Sequence, residues 1–149
     1  MVISKQKEKA FAILLVRLIL GLIFVQAGIY KIFVLGPIGH AKKYFLVEPY
    51  ISSFLPIWSL WVTGILIPIV ELLAGALVLI GFKTREALIA LGAILVIVTF
   101  GHLLADPLFD FHRHIFTRLS MLIFLLMFST NEDYFSFDSL RNYHRAKSV

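Results

Sequence analysis

The chain has 149 residues, a formal net charge of +5, no cysteine, and a composition 60% hydrophobic and only 15% charged, with a mean hydropathy of +0.92. That hydropathy exceeds what a soluble domain carries, so composition specifies an integral membrane protein. Without cysteine this chain forms no disulfide, no thiol nucleophile, no c-type haem attachment and no iron–sulfur cluster of its own; its basic residues lie in tails and turns, not in a stripe with interleaved aromatics, so no nucleic acid is expected as a partner.

Hydrocarbon about 30 Å thick takes ~20 apolar residues per helix. The pattern predicts four spans, at 10–35, 57–81, 87–105 and 115–129. They make a single transmembrane domain over residues 1–149: an all-α integral membrane four-helix bundle in contact with the lipid bilayer. The first apolar stretch, about 25 residues long with no small-residue cleavage site behind it, argues against a cleavable signal peptide.

Span one carries Arg17, Gly21, Phe24, Gly28 and Lys31 at alternating steps of four and three, which places them on one helical stripe. The connection over 36–56 holds three prolines and the run "AKKYFLVEPYISSFLP". It is too polar to span, and its aromatic and aliphatic residues suit a segment lying in the interface or folding back as a cap. Span two repeats the stripe with Gly64, Pro68, Glu71 and Gly75, and span three with Gly92, Leu95, Thr99, His102 and Asp106. Each stripe mixes small residues, which let helices approach, with polar groups, which must find partners in hydrocarbon, so the stripes face the bundle interior. Depth counted along the spans predicts an Arg17–Glu71 ion pair.

Between spans three and four, "ADPLFDFHRH" supplies Asp106, Asp110, His112 and His114. With Lys31, His102 and Arg118 these form an expected polar cluster at one face. Three readings stay open for it: ordinary interfacial residues, a proton-handling or headgroup site, or a metal or haem site. The weak metal candidates are His112, His114, Asp106 and Asp110.

Eight basic residues (Lys5, Lys7, Lys9, Lys83, Arg85, Arg141, Arg145 and Lys147) fall on one side of a four-span topology and three (Lys42, Lys43 and Arg113) on the other. The positive-inside bias then predicts both termini in the cytoplasm.

The stretches "RLILGLIFVQAGIYK" and "ELLAGALVLIGFKTR", the latter with Glu71, Gly75, Gly81 and Arg85, resemble the DoxX family of small four-span membrane proteins over roughly residues 15–128. The outer histidine cluster is less typical of that family. The resemblance implies a four-helix bundle, a prokaryotic inner (plasma) membrane, and a subunit of a quinone- or quinol-linked oxidoreductase complex with other membrane or periplasmic redox subunits as partners. On that reading a quinone-type ligand shelters between helices, with Arg17, Lys31, Glu71, His102 and Arg118 as ligand-binding residues and Glu71 and His102 as proton handlers. Haem or a metal stays open as a cofactor. The alternative is a noncatalytic membrane scaffold or assembly factor, since one branch of the family looks like receptor-assembly factors.

Overall fold

The computed structural model describes residues 5–108 and 115–140. Among these the chain is helical: α1 (Lys5–Ile29), which widens into a π-helical turn over Tyr30–Val34, α2 (Pro37–Tyr44), α3 (Ile57–Ile80), α4 (Thr84–Ala105) and α5 (Thr117–Glu132). Three stretches, Lys5–Val34, Ile57–Ile80 and Thr84–Ala105, are long and apolar enough to cross a membrane, while the apolar part of α5, Thr117–Ser129, is shorter. The predicted bundle is present. Its core joins Ile13, Leu20 and Phe24 of α1 to Ala74 and Val78 of α3, Leu88, Leu91 and Leu95 of α4, and Leu122 and Leu125 of α5.

Glycine sets the α1–α3 contact. A Cβ on Gly28 would lie 2.7 Å from Leu72, and one on Gly75 2.9 Å from the Phe24 Cβ and the Val25 nitrogen. The two backbones therefore touch, as small residues permit in hydrocarbon where no hydrophobic force drives helices together. The contact also fixes register: Leu72 lies against Gly28, and Leu79 against Gly21.

α1 ends short of the start of α3, and α2 fills the remaining length. The reason lies in Pro68. A proline inside a helix has no N–H to give the carbonyl four residues back, here that of Gly64. His40 of α2 supplies the bond, with Nδ1 2.7 Å from the Gly64 oxygen. A carbonyl only accepts, so Nδ1 carries the proton and Nε2 the lone pair. Gly64 is also where α2 comes closest, since a Cβ there would sit 2.7 Å from Ala41. The connection thus folds back as a cap, with His40 and Ala41 buried, and the His40 ring packs against Tyr44 and Phe45.

Burial holds the His40 ring below the ordinary histidine pKa; the Gly64 bond pulls it up, Lys31 pushes it down and Glu71 pulls it up, each by less. Folding therefore favours the neutral ring. The stabilisation is complete above the unfolded value, about 6.5, and declines as pH falls below it. His40→Asn keeps a donor at the same place and removes the titration. Thermal midpoints of the detergent-solubilised protein between pH 7.5 and 5 should fall more steeply for wild type than for this variant; parallel curves would remove His40 as the cause.

Candidate functional site

Two polar centres hold the helices together, one at each end. At the end bearing the α3–α4 turn, α3 stops in a Schellman motif: Gly81, at φ +73°, donates to the Val78 carbonyl and Phe82 to that of Leu77. The Leu79 carbonyl still lacks a backbone donor, and Arg17 reaches it from α1, sharing the Val78 carbonyl with Gly81. Its Nη1 donates to Leu79 at 3.2 Å and Val78 at 3.4 Å, and its Nη2 to the Phe135 carbonyl at 3.0 Å. A Cβ on Gly81 would collide with this guanidinium. Asp133, just past α5, places a carboxylate oxygen 3.2 Å from Arg17 Nε. The alignment is too poor for a hydrogen bond, so the contact is an ion pair. Burial raises the Asp133 carboxyl above the usual range more than Arg17 lowers it, which makes the pair a positioning device rather than a source of net stability.

The same segment caps α4. No side chain of its own caps its start at Lys83; instead the Asp138 carboxylate accepts from the Lys83 amide at 3.1 Å and the Thr84 amide at 3.0 Å. A carboxylate there satisfies orphan amides and complements the helix dipole. Asp138 in turn donates its own amide to the Gly81 carbonyl at 3.0 Å.

At the α2 end, Lys31 Nζ lies 2.6 Å from Glu71 Oε2. The Glu71 side chain is 2% exposed and that of Lys31 23%. Here the structure corrects the expected Arg17–Glu71 pair. With Leu72 against Gly28, Glu71 falls beside Lys31, whereas Arg17 falls at the last turn of α3 and takes Asp133. His40 belongs to this end as well, close enough for both charges to act on its ring.

The other expected site residues lie elsewhere. The Arg118 guanidinium stands 5.5 Å from the centre of the Phe24 ring, and Phe24 is seven residues, about 10 Å, along α1 from Lys31. His102 bonds through Nδ1 to Val98 of its own helix at 2.7 Å. Asp106 is exposed at the end of α4, where it accepts the Leu108 amide. Asp110, His112 and His114 lie outside the described residues, and among those described no three His, Asp or Glu side chains gather as a metal site would require. A cavity of about 470 Å³ between α4 and α5 is lined by apolar side chains and Thr99.

Sequence reasoning missed His40 as a docking residue, and missed Asp133 and Asp138. A signal for the two aspartates existed: in a four-span topology they share an end with the "GFKTRE" turn, whose amides need a cap.

Chemically, Lys31 is the open member of its pair. An ammonium has three donors and Glu71 takes one, leaving two for a ligand oxygen or water. Removing Lys31 strands a carboxylate that is almost fully buried, whereas removing Glu71 leaves an ammonium that is partly exposed. Lys31→Met should therefore cost about 3 kcal/mol of stability, Glu71→Gln less, and the double variant less than the sum. A double-mutant cycle on detergent unfolding checks this, and simple additivity would show that the pair carries no coupling.

No curated protein and no solved structure matches the chain. A family model, that of DoxX, matches residues 12–103, a stretch that holds Arg17, Gly21, Gly28, Lys31, His40, Gly64, Glu71 and Gly81 but neither Asp133 nor Asp138. The α1–α3 contact, both centres' cationic members and the α2 cap all fall within the matched region, and the chain is an integral membrane protein of the DoxX family.

Proposed function

We propose that the chain is a subunit of a quinone- or quinol-linked oxidoreductase complex of a prokaryotic inner membrane. The Lys31–Glu71 pair beneath α2 binds a ligand headgroup and handles its protons. The observation that carries this is the asymmetry of the pair: a carboxylate sealed from solvent, bonded to an ammonium that keeps unused donors. A quinone-type ligand fits that donor set, because its carbonyl oxygens only accept and its body is apolar. When bound it supplies the redox chemistry. The chain's own residues orient it through Lys31, hold a proton at Glu71, and accept one at His40 Nε2, whose lone pair the Gly64 bond fixes in place. His102, one turn from the end of α4, stays a second candidate for proton handling, and Arg17 belongs to the helix-joining centre.

The second reading is a noncatalytic scaffold or assembly factor. The arrangement of Arg17, Asp133 and Asp138 favours it, since these groups are spent on joining helix ends.

Quinone measured per protein in lipid extracts of the purified subunit separates the two. The expected result is enrichment over the bulk membrane, lost in Lys31→Met and kept in Lys31→Arg while both variants stay folded. A wild-type ratio equal to the bulk membrane would leave the scaffold reading standing.

Both termini are assigned to the cytoplasm on the distribution of basic residues. In a chain without cysteine, a single cysteine introduced at Ser53 should react with an impermeant maleimide in intact cells, and one at Ser139 only after permeabilisation. Equal labelling from one side would overturn the orientation.

A further inference from the structure

At the end bearing the α3–α4 turn, α1 outruns the helix it packs against. Gly28 lies against Leu72 and Gly21 against Leu79, an antiparallel register that brings Arg17, four residues further on, level with the turn. α1 continues past Arg17 through seven apolar residues, from Val16 back to Ala10, before it meets Lys9. Those seven cover about 10 Å of helix. Phe11 and Leu15 among them are exposed, as side chains against lipid are. The apolar depth at this end is therefore set by α1, and the α3–α4 turn lies roughly 10 Å inside it.

The segment after α5 occupies that depth. It is tied beneath the turn by the Phe135 carbonyl on Arg17 and the Asp138 carboxylate on Lys83 and Thr84, and the Phe137 ring meets Phe82 edge to face, with centres 5.8 Å apart. Asp133 and Ser136 are buried, whereas Tyr134, Phe135 and Phe137 are each more than half exposed. The segment is thus two-faced, with polar groups against the bundle end and aromatic rings away from it. Beside it stand Lys83 and Arg85, both exposed, and neither is in an ion pair. Among the described residues, the exposed charges of this end are Lys5, Lys7, Lys9, Lys83 and Arg85 against Glu8 and Glu86.

We propose that this segment is an interfacial anchor for anionic phospholipid: Tyr134, Phe135 and Phe137 enter the leaflet at the boundary of headgroups and acyl chains, and Lys83 and Arg85 hold lipid phosphates. Aromatic rings suit that boundary, and lysine and arginine reach from it to the phosphates. Water does not suit the rings, because at this depth α1 still presents Phe11 and Leu15. A neutral leaflet would cover the rings but leave the excess of exposed cations unmatched, whereas an anionic leaflet answers both. The surface lies at the opposite end from Lys31 and Glu71 and holds under either reading of function. Because the same segment ties α1, α3 and α4 together, lipid bound there also holds that end of the bundle closed.

The test uses the full-length protein in phosphatidylcholine vesicles at low salt. In a chain without cysteine, Tyr134→Cys takes a single bimane label, and Lys5→Cys, beyond the apolar run of α1, gives the control in water. A lipid nitroxide near the headgroup end of the acyl chain should quench the Tyr134→Cys label several times more than the control, and aqueous iodide the reverse. With the nitroxide on phosphatidylglycerol instead of phosphatidylcholine, the quenching constant of the Tyr134→Cys label should be about fivefold larger. Lys83→Gln with Arg85→Gln should remove that excess and leave the phosphatidylcholine value unchanged. Phe135→Cys, whose backbone carbonyl still serves Arg17, repeats each measurement and guards against disturbance by the first label. Iodide quenching at both sites equal to the control would put the face in water, and resistance to both quenchers would mean that protein covers it. A phosphatidylglycerol excess that is absent, or that survives the double variant, would mean that Lys83 and Arg85 hold no lipid phosphate. Any of these outcomes overturns the proposal.

Discussion

A buried backbone carbonyl in hydrocarbon must have a donor, because no water reaches it. Pro68 takes the usual donor away from Gly64, and much of the α2 end follows from that loss. His40 fills the vacancy, which brings α2 down onto α3. Gly64, lacking a side chain, lets Ala41 settle beside the same carbonyl. The descent of α2 then encloses Glu71 and Lys31 and leaves the His40 ring neutral, with one nitrogen committed. One missing N–H thus couples a helix irregularity to the environment of three titratable groups.

The other end solves the same problem with charge. α3 leaves carbonyls without donors and α4 starts with amides without acceptors, within a few residues of one another. Arg17 supplies donors and Asp138 an acceptor. A guanidinium suits the first task because its fork reaches several oxygens at once. In each case a charged side chain is held where backbone dipoles would otherwise be unmatched.

Much of the fold was legible. Apolar run lengths placed α1, α3 and α4, and the stripes at steps of four and three located the glycines that set the α1–α3 contact. The stripes place Arg17, Lys31 and Glu71 in the interior, but they pair Arg17 with Glu71, whereas the structure pairs Arg17 with Asp133 and Glu71 with Lys31. The edge of an apolar run gives a depth only, whereas the register is set by the glycine contacts, and these bring Glu71 to Lys31. A register between two helices depends on which small residues meet, and neither helix states that alone. His40 was illegible for a related reason: the stripe Gly64, Pro68, Glu71 showed a helix with an open carbonyl, but nothing local in 36–56 says which side chain will answer it.

The cap that Asp138 gives α4 has a consequence for the order of assembly. The first amides of α4 take their acceptor from a residue 55 positions further along the chain, so α4 is capped only once the segment after α5 is in place. Without that segment the α3–α4 turn lacks its acceptor and Arg17 lacks Asp133. The bundle closes only when the segment after α5 arrives and binds all three helices at once. A chain broken off after α5 would keep every apolar helix and still lack the piece that locks them, which makes a short polar segment the checkpoint between inserted helices and a finished fold.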